Sequence, residues 1–484
     1  MNRTFSLLTL VATCVSATAL AQEAPAFDLN TALQSGPPMT ADRAAELALQ
    51  ANPSADRVRA LARASEASVA RARAQMWPRL ELSGRYTHID GFPDGTISAG
   101  PSPQALTVAR DMAGQITDPA ARAVLLGQLE AQANSSPIIK IPRNQIDFGA
   151  QLTWPVSDMF FAMLPALKSA KAAVHAEEAR IAATEAQIRR DARQAFYQLA
   201  RARGALAVAT EAENQANTQL GQVEASVRAG YLTESDLLDA RARVAATGRA
   251  LASANAGVEI ADAALRTMFG APDGPVYGIA EQVFTVDQAP LEAADVLLAR
   301  ALKQRPEIAA LQATTEAQNA AVDATTAQGY PHVALIAGAN YANPNRYVIP
   351  PRAQFDPSWQ VGAAITWSPN DTLINDQAAN NLRAQTEAVQ AQLQELKRGL
   401  QLEIRRTLAQ LNAAKEAMVS AESSRTAAEA AYQSRLAQLK AGHSTSADLV
   451  LAEVQLDQAR LSVLDAAIEL RLARTNLAYA TGSR

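Results

Sequence analysis

A chain of 484 residues could hold two or three ordinary domains, yet only 5% of it is aromatic while 48% is apolar, because alanine carries most of the apolar count. Ala-rich, aromatic-poor sequence with mixed charge favours long helices over a thick core. A formal net charge of −4 advertises no nucleic-acid surface, and a single cysteine excludes a disulfide framework.

Residues 1–21 read as a signal peptide. Arg3 supplies the positive end, "FSLLTLVATCVSATAL" the apolar stretch, and Ala19-Leu20-Ala21 an A-x-A site ahead of Gln22. Cys14 lies inside this segment. Lipidation of Cys14 is the other reading, for which Thr13 is a poor preceding residue. Once the segment is removed no cysteine remains, and with it no thiol nucleophile or thiolate metal site. No later stretch reaches the 18 or more apolar residues of a spanning helix. The mature chain is then either soluble in an envelope compartment or crosses a membrane as a β-barrel.

The rest is written twice. "ALQANP" (48–53) returns as "ALKQRP" (301–306), "LTWPVSD" (152–158) as "ITWSPND" (365–371), and "RAGYLTESDLL" (228–238) as "KAGHSTSADLV" (440–450). The first repeat covers 22–290. It predicts a short helix, strands at about 79–90 and 143–156, and a long helical hairpin with its tip near 230–236. The second repeat covers 291–484, with strands at about 331–342 and 359–368 and a tip near 442–448. Pro78 to Trp154 spans 76 residues against 36 from Pro331 to Trp367, so the first repeat carries 40 extra residues within about 91–142.

The four strands alternate. "QIDFGAQLTW" sets Ile146, Phe148, Ala150, Leu152 and Trp154 against Asp147, Gly149, Gln151 and Thr153. "WQVGAAITW" sets Trp359, Val361, Ala363, Ile365 and Trp367 against Gln360, Gly362, Ala364 and Thr366, and "LELSGRYTH" sets Leu80, Leu82 and Tyr86 against Glu81, Ser83 and Arg85. "HVALIAGANY" is less regular and carries Tyr341. This is the period of transmembrane strands, or of a half-buried sheet in a soluble domain. Trp154, Trp359, Trp367, Tyr86 and Tyr341 fit an interfacial aromatic belt.

No proline interrupts 166–271 or follows 369. After each tip a seven-residue register appears: Leu237, Val244, Leu251, Val258 and Leu265, then Leu449, Leu456, Val463, Leu470 and Leu477. Beside it run small residues: Ala240, Thr247, Ala254 and Ala261, then Ala452, Ala459, Ala466 and Ala473. The pattern is that of a coiled coil whose backbones approach closely.

Signal peptide, duplication, paired strands, proline-free helices and the phrases "AGYLTESDLLDAR" and "AGHSTSADLVLAE" together resemble the outer-membrane efflux protein family, the TolC-like channels, over nearly the whole mature chain. The resemblance implies a mainly α fold with a β-barrel portion. A homotrimer would build a twelve-stranded barrel, four strands and long coiled-coil helices coming from each chain, above a periplasmic α-barrel. It also implies an outer-membrane lipid environment, a periplasmic adaptor protein and an inner-membrane pump. The expected role is the exit duct of a tripartite efflux pump or a type I secretion system. The alternative is a periplasmic coiled-coil scaffold that does not span the membrane.

On this reading the repeated phrase is the U-turn of a hairpin. Gly230 and Gly442 end the incoming helices and Thr233-x-x-Asp236 and Thr445-x-x-Asp448 cap the outgoing ones. Gly230, Thr233, Gly442 and Thr445 are the expected turn and adaptor-contact residues. Asp236, Asp239 and Asp448 are the expected periplasmic gate, Asp448 matching the position of a family aspartate. One turn later this chain has Leu451, and the family's tyrosine and arginine lock has no counterpart near Leu439 and Ser444. His88, His175, His332 and His443 are dispersed, so no metal site is expected. No nucleophile elbow, Walker motif or dinucleotide fingerprint occurs, and no cofactor, catalytic residue or enzymatic activity is expected.

Overall fold

The computed structural model describes residues 33–34, 36–91, 95–96, 102–133, 138–139, 142–285, 292–349, 351–441 and 443–483. The expected signal peptide with Cys14, and Gly442 at the second tip, lie outside the described residues.

In chain order, β1 (Pro38–Met39) leads into α1 (Ala41–Ala51) and α2 (Pro53–Gln75). Next come β2 (Arg79–His88), β3 (Gly95–Thr96), α3 (Pro103–Gly114), α4 (Pro119–Ala133), β4 (Ile138–Ile139) and β5 (Asn144–Pro155). One α turn and a π turn, Met159–Met163, feed α5 (Leu164–Arg228), which the first tip joins to α6 (Glu234–Met268). β6 (Gly278–Ile279) closes the first repeat. The second repeat is α7 (Ala294–Gln304), α8 (Pro306–Ala327), β7 (His332–Asn343), β8 (Asp356–Thr366), α9 (Pro369–Lys440) and α10 (Ser446–Thr481). Prolines sit where helices begin, at Pro53, Pro306 and Pro369, where a missing N–H costs nothing. The uninterrupted stretches between them become helices of 65 residues for α5 and 72 for α9. At 1.5 Å per residue these run to about 100 Å.

The chain forms two compact units, each drawing on both repeats. One comprises Met1–Ala55, Glu185–Gln304 and Leu400–Arg484; the other Asp56–Thr184 and Arg305–Gly399.

In the first unit the alanine face of α1 (Ala41, Ala44, Ala45, Ala48) packs on Ile188, Ala192, Phe196 and Leu199 of α5 and on Leu464 and Ile468 of α10. β1 pairs in parallel with β6, tying the start of the first repeat to its end. Along α10 the heptad positions Leu449, Leu456, Val463 and Leu470 are buried, and so is the small line Ala452, Ala459, Ala466 and Ala473. On α6 only Leu237, Thr247 and Leu265 of the two corresponding lines are buried; the rest stay half-covered within one chain. Small residues allow close approach at one point above all. A Cβ added to Gly204 of α5 would lie 2.6 Å from Leu464 of α10.

The second unit holds a four-stranded antiparallel sheet in the order β2-β5-β7-β8. All four strands meet helices at the same end. β2 follows α2, β5 runs towards α5, β7 follows α8 and β8 runs into α9.

Candidate functional site

The sheet's register gathers the large apolar side chains of three strands on one face and most of the charged and amide side chains on the other, with Ile336 of β7 among the latter. Leu80 pairs with Leu152, Leu152 with Ala337 and Ala337 with Val361. The next row on that face is Leu82, Ala150, Ala339 and Trp359, and the next Gly84, Phe148, Tyr341 and Pro357. Period-two alternation leaves Leu335, Trp154 and Ile365 on this face too. Within one chain the face is bare: Trp359 is 81% exposed, and Val361 and Ile365 73% each. The other face is polar. Arg85 lies opposite Asp147, Glu81 opposite Gln151, and Asn340 donates to the Asp147 carboxylate at 3.1 Å. Strands of 10, 12, 12 and 11 residues match the roughly 9–11 that a tilted strand needs to cross a bilayer. Among the described residues no helix is long and apolar enough to cross one.

The five expected belt residues are all exposed, and they fall in different rows. Trp154 and Trp367 lie towards the helical end, and Tyr86 and Tyr341 towards the opposite end. Trp359 sits one row inside Tyr341. Where strands become helices, polar side chains hold the joint. The Ser157 hydroxyl accepts the Val333 N–H at 2.7 Å, and His332 Nδ1 meets Asp158 at 2.5 Å. The Trp367 indole and the Thr372 hydroxyl both donate to the Gly329 carbonyl, at 3.3 and 2.7 Å.

At the first tip Gly230 has φ +80°, and the Tyr231 N–H reaches the Ser226 carbonyl at 2.9 Å, the six-to-one bond of a glycine helix end. At the second, His443 donates to Gln438 in the same way at 2.8 Å. Each outgoing helix opens with a reciprocal capping box. Asp236 accepts from the Thr233 N–H and hydroxyl at 2.8 and 2.7 Å. Asp448 accepts from the same groups of Thr445 at 3.1 and 2.7 Å, and from Ser444 at 3.3 Å. These hydrogen bonds hold both carboxyls below the usual aspartate range. Asp239 is exposed beyond the box. Four residues of the expected site (Thr233, Asp236, Thr445, Asp448) therefore have a defined local task, and the two aspartates keep carboxylate surface open to solvent.

One cluster escaped the sequence reading. Glu453 and Asp457 of α10 lie at positions that face other helices; Glu453 is 3% exposed and its Oε1 has no hydrogen-bond partner. Arg243 of α6 and Arg460 of α10 each approach Asp457 to 3.7 Å, while Glu211 of α5 and Tyr432 of α9 lie within electrostatic reach. Burial pushes Glu453 up to about 7 and Asp457 up to about 6. The signal was present: Glu453 and Arg460 are seven residues apart, on a charged line running beside the apolar heptad. Among the described residues no group of His, Cys, Asp and Glu could hold a metal ion.

The family model described as "Outer membrane efflux protein" matches residues 122–271 and 297–483. No curated protein sequence matches the chain. Among solved structures, the chain is similar to the Campylobacter jejuni outer-membrane channel CmeC at 15% identity and TM-score 0.70, covering 91% of this chain and 85% of that one. It is similar to the outer-membrane channel OprN at 20% identity and TM-score 0.69, over 92% and 90% of the two chains. For the open state of the Neisseria gonorrhoeae channel MtrE the values are 15% and 0.69, over 92% and 89%. Channels of this family act as trimers with adaptor proteins in tripartite pumps. With both helical hairpins and three of the four sheet strands inside the matched segments, and a sheet that gathers its apolar side chains on one face, this chain belongs to the outer membrane efflux protein family and is an outer-membrane exit duct with a periplasmic helical portion, a transport channel and not an enzyme.

Proposed function

We propose that three copies of this chain close a twelve-stranded barrel whose apolar face meets lipid and whose polar face lines the exit path. Trp154, Trp359, Trp367, Tyr86 and Tyr341 would form the interfacial belts. The observation that carries this is the four-stranded sheet itself. It has one continuous apolar face and two unpaired edges, β2 and β8. A lipid-facing sheet cannot keep open edges, so β8 of each copy must pair with β2 of the next. Four strands are also too few to enclose a lumen.

The hairpin tips, with Gly230, Thr233, Gly442 and Thr445, are the surface offered to a periplasmic adaptor that links the duct to an inner-membrane pump. Threefold symmetry multiplies Asp236, Asp239 and Asp448 into rings around the periplasmic mouth, and crowded carboxylates there attract cations. The ionised state this requires is supported by the hydrogen bonds that keep Asp236 and Asp448 readily deprotonated. Planar-bilayer conductance of the wild type, Asp448→Asn and Asp236→Asn tests the reading. Cation preference and block by multivalent cations are expected to fall in both variants. Wild-type selectivity in both, with only a change in melting, would reduce the aspartates to helix caps. Deleting the chain and scoring drug sensitivity beside secreted proteins separates an efflux pump from a type I secretion system.

A further inference from the structure

Within the 40-residue excess of the first repeat, residues 102–133 form a helical hairpin, α3 and α4. Ser102 caps α3 by accepting the Ala105 N–H at 3.2 Å, and Asp118 caps α4 by accepting the Ala120 N–H at 3.0 Å. Arg122 of α4 reaches back to the Gly114 carbonyl at the end of α3, at 3.5 Å. Ala113 is wholly buried between them. The hairpin is thus preformed, and its otherwise largely polar outside leaves three large apolar side chains bare. Val108 and Met112, one turn apart on α3, are 58% and 65% exposed, and Val124 on α4 is 63% exposed.

A second apolar feature projects from the same end of the sheet. The connection between β7 and β8, residues 344–355, is short and braced. Buried Asn345 donates to the Asp356 carbonyl at 2.8 Å and accepts the Tyr347 N–H at 3.0 Å, while the Tyr347 hydroxyl donates to Gln360 at 3.3 Å. It nonetheless presents Tyr347 and Ile349 to solvent, Ile349 being 84% exposed.

Strand order decides which of these surfaces are neighbours. Within one chain β2 and β8 are opposite edges, so the β2–β5 connection and the β7–β8 connection sit at opposite sides of the sheet. Once β8 pairs with β2 of the next copy, the long connection of one copy stands directly beside the short connection of the other. This step rests on the trimer of the preceding section. The contact continues the edge-to-edge interface past the ends of its strands, on the side away from the long helices.

We propose that the α3–α4 hairpin of each copy clasps the β7–β8 connection of the adjacent copy, setting Val108, Met112 and Val124 against Tyr347 and Ile349. A second copy of this chain is the occupant of both surfaces. The clasp explains why the insertion is found in one repeat only. Each joint then brings together one long arm and one short ledge.

Beyond Cys14 the chain has no cysteine, so engineered thiols are unique. A tagged chain carrying Met112→Cys is co-expressed with an untagged chain carrying Ile349→Cys, and mixed trimers are oxidised in the membrane. Val108→Cys and Val124→Cys against Tyr347→Cys extend the scan, and Ile260→Cys on α6 replaces the ledge thiol as the negative control. Native mass spectrometry of the same preparation reports the oligomer. A disulfide-linked heterodimer from the arm and ledge pairs, absent with Ile260→Cys, is expected. A native trimer with no linkage from any arm and ledge pair overturns the clasp and leaves the trimer standing. A linkage that forms only when both thiols are on one chain assigns the arm to its own barrel mouth and also overturns it. A monomer in native mass overturns the trimer and the clasp together. As a second readout, Met112→Asp is expected to lower the temperature at which the trimer dissociates in detergent, with helical circular dichroism unchanged.

Discussion

At each hairpin tip a single carboxylate oxygen receives two or three hydrogen bonds from its own turn. Thr233→Ala or Thr445→Ala removes a capping hydroxyl and is expected to cost about 1 kcal/mol of local helix stability, seen as faster amide exchange over the first turn of α6 or α10. Because both aspartates sit below their ordinary range, the caps hold above the unfolded aspartate pKa and weaken as pH falls through the folded one. Glu453 works the other way. Its carboxyl is raised from 4.5 to about 7, so between those values the folded chain keeps a proton that the unfolded chain has lost. Packing around it therefore weakens as pH climbs through that window and changes little above it, by up to about 3 kcal/mol. Asp457 adds to the same trend, while Arg243 and Arg460 moderate it; Glu211 and Tyr432 complete the surroundings. Thermal melting is expected to be higher at pH 5.5 than at pH 8, with Glu453→Gln raising the pH 8 value and flattening the difference. An unchanged pH profile in Glu453→Gln would show that the buried carboxyl is not the group responsible.

Among the elements, the duplication made most of the structure legible. Both strand pairs, both long helices and both capping boxes could be read because each signal occurs twice at matching spacing, and because prolines mark where helices start. The strand ends moved by only a few residues; β8 begins at Asp356, ahead of the alternating run, because Asp356 and Pro357 continue the ladder to β7. What could not be read was how helices meet. The heptad line of α10 is buried in one chain while that of α6 is mostly half-covered, a difference set by neighbours and not by the two nearly equivalent repeats. The Glu453 cluster is not legible in the sequence for the same reason, since a charged helix line is ordinarily solvated. Gly204 is a measurable case of close approach. Gly204→Val would drive a side chain into Leu464 and is expected to destabilise the helical unit by about 1–3 kcal/mol, and adding Leu464→Ala should restore part of the loss. Melting of the single and double variants decides it, and additive losses would count against the contact.

For the whole molecule, the account stands on the sheet having a lipid face and a water face. Leu152→Arg places a charge on the apolar face and is expected to cost about 2–4 kcal/mol of barrel stability, with loss of outer-membrane assembly. Gln151→Arg, one residue away and opposite Glu81, should assemble normally. The most direct measurement is thiol accessibility along β5 in the membrane. Cysteines are placed singly at 147, 148, 150, 151, 152 and 153 and exposed to a water-soluble maleimide. The account predicts labelling at 147, 151 and 153 and protection at 148, 150 and 152. Equal labelling at all six positions would show a sheet bathed in water on both sides, and would contradict a membrane-spanning duct.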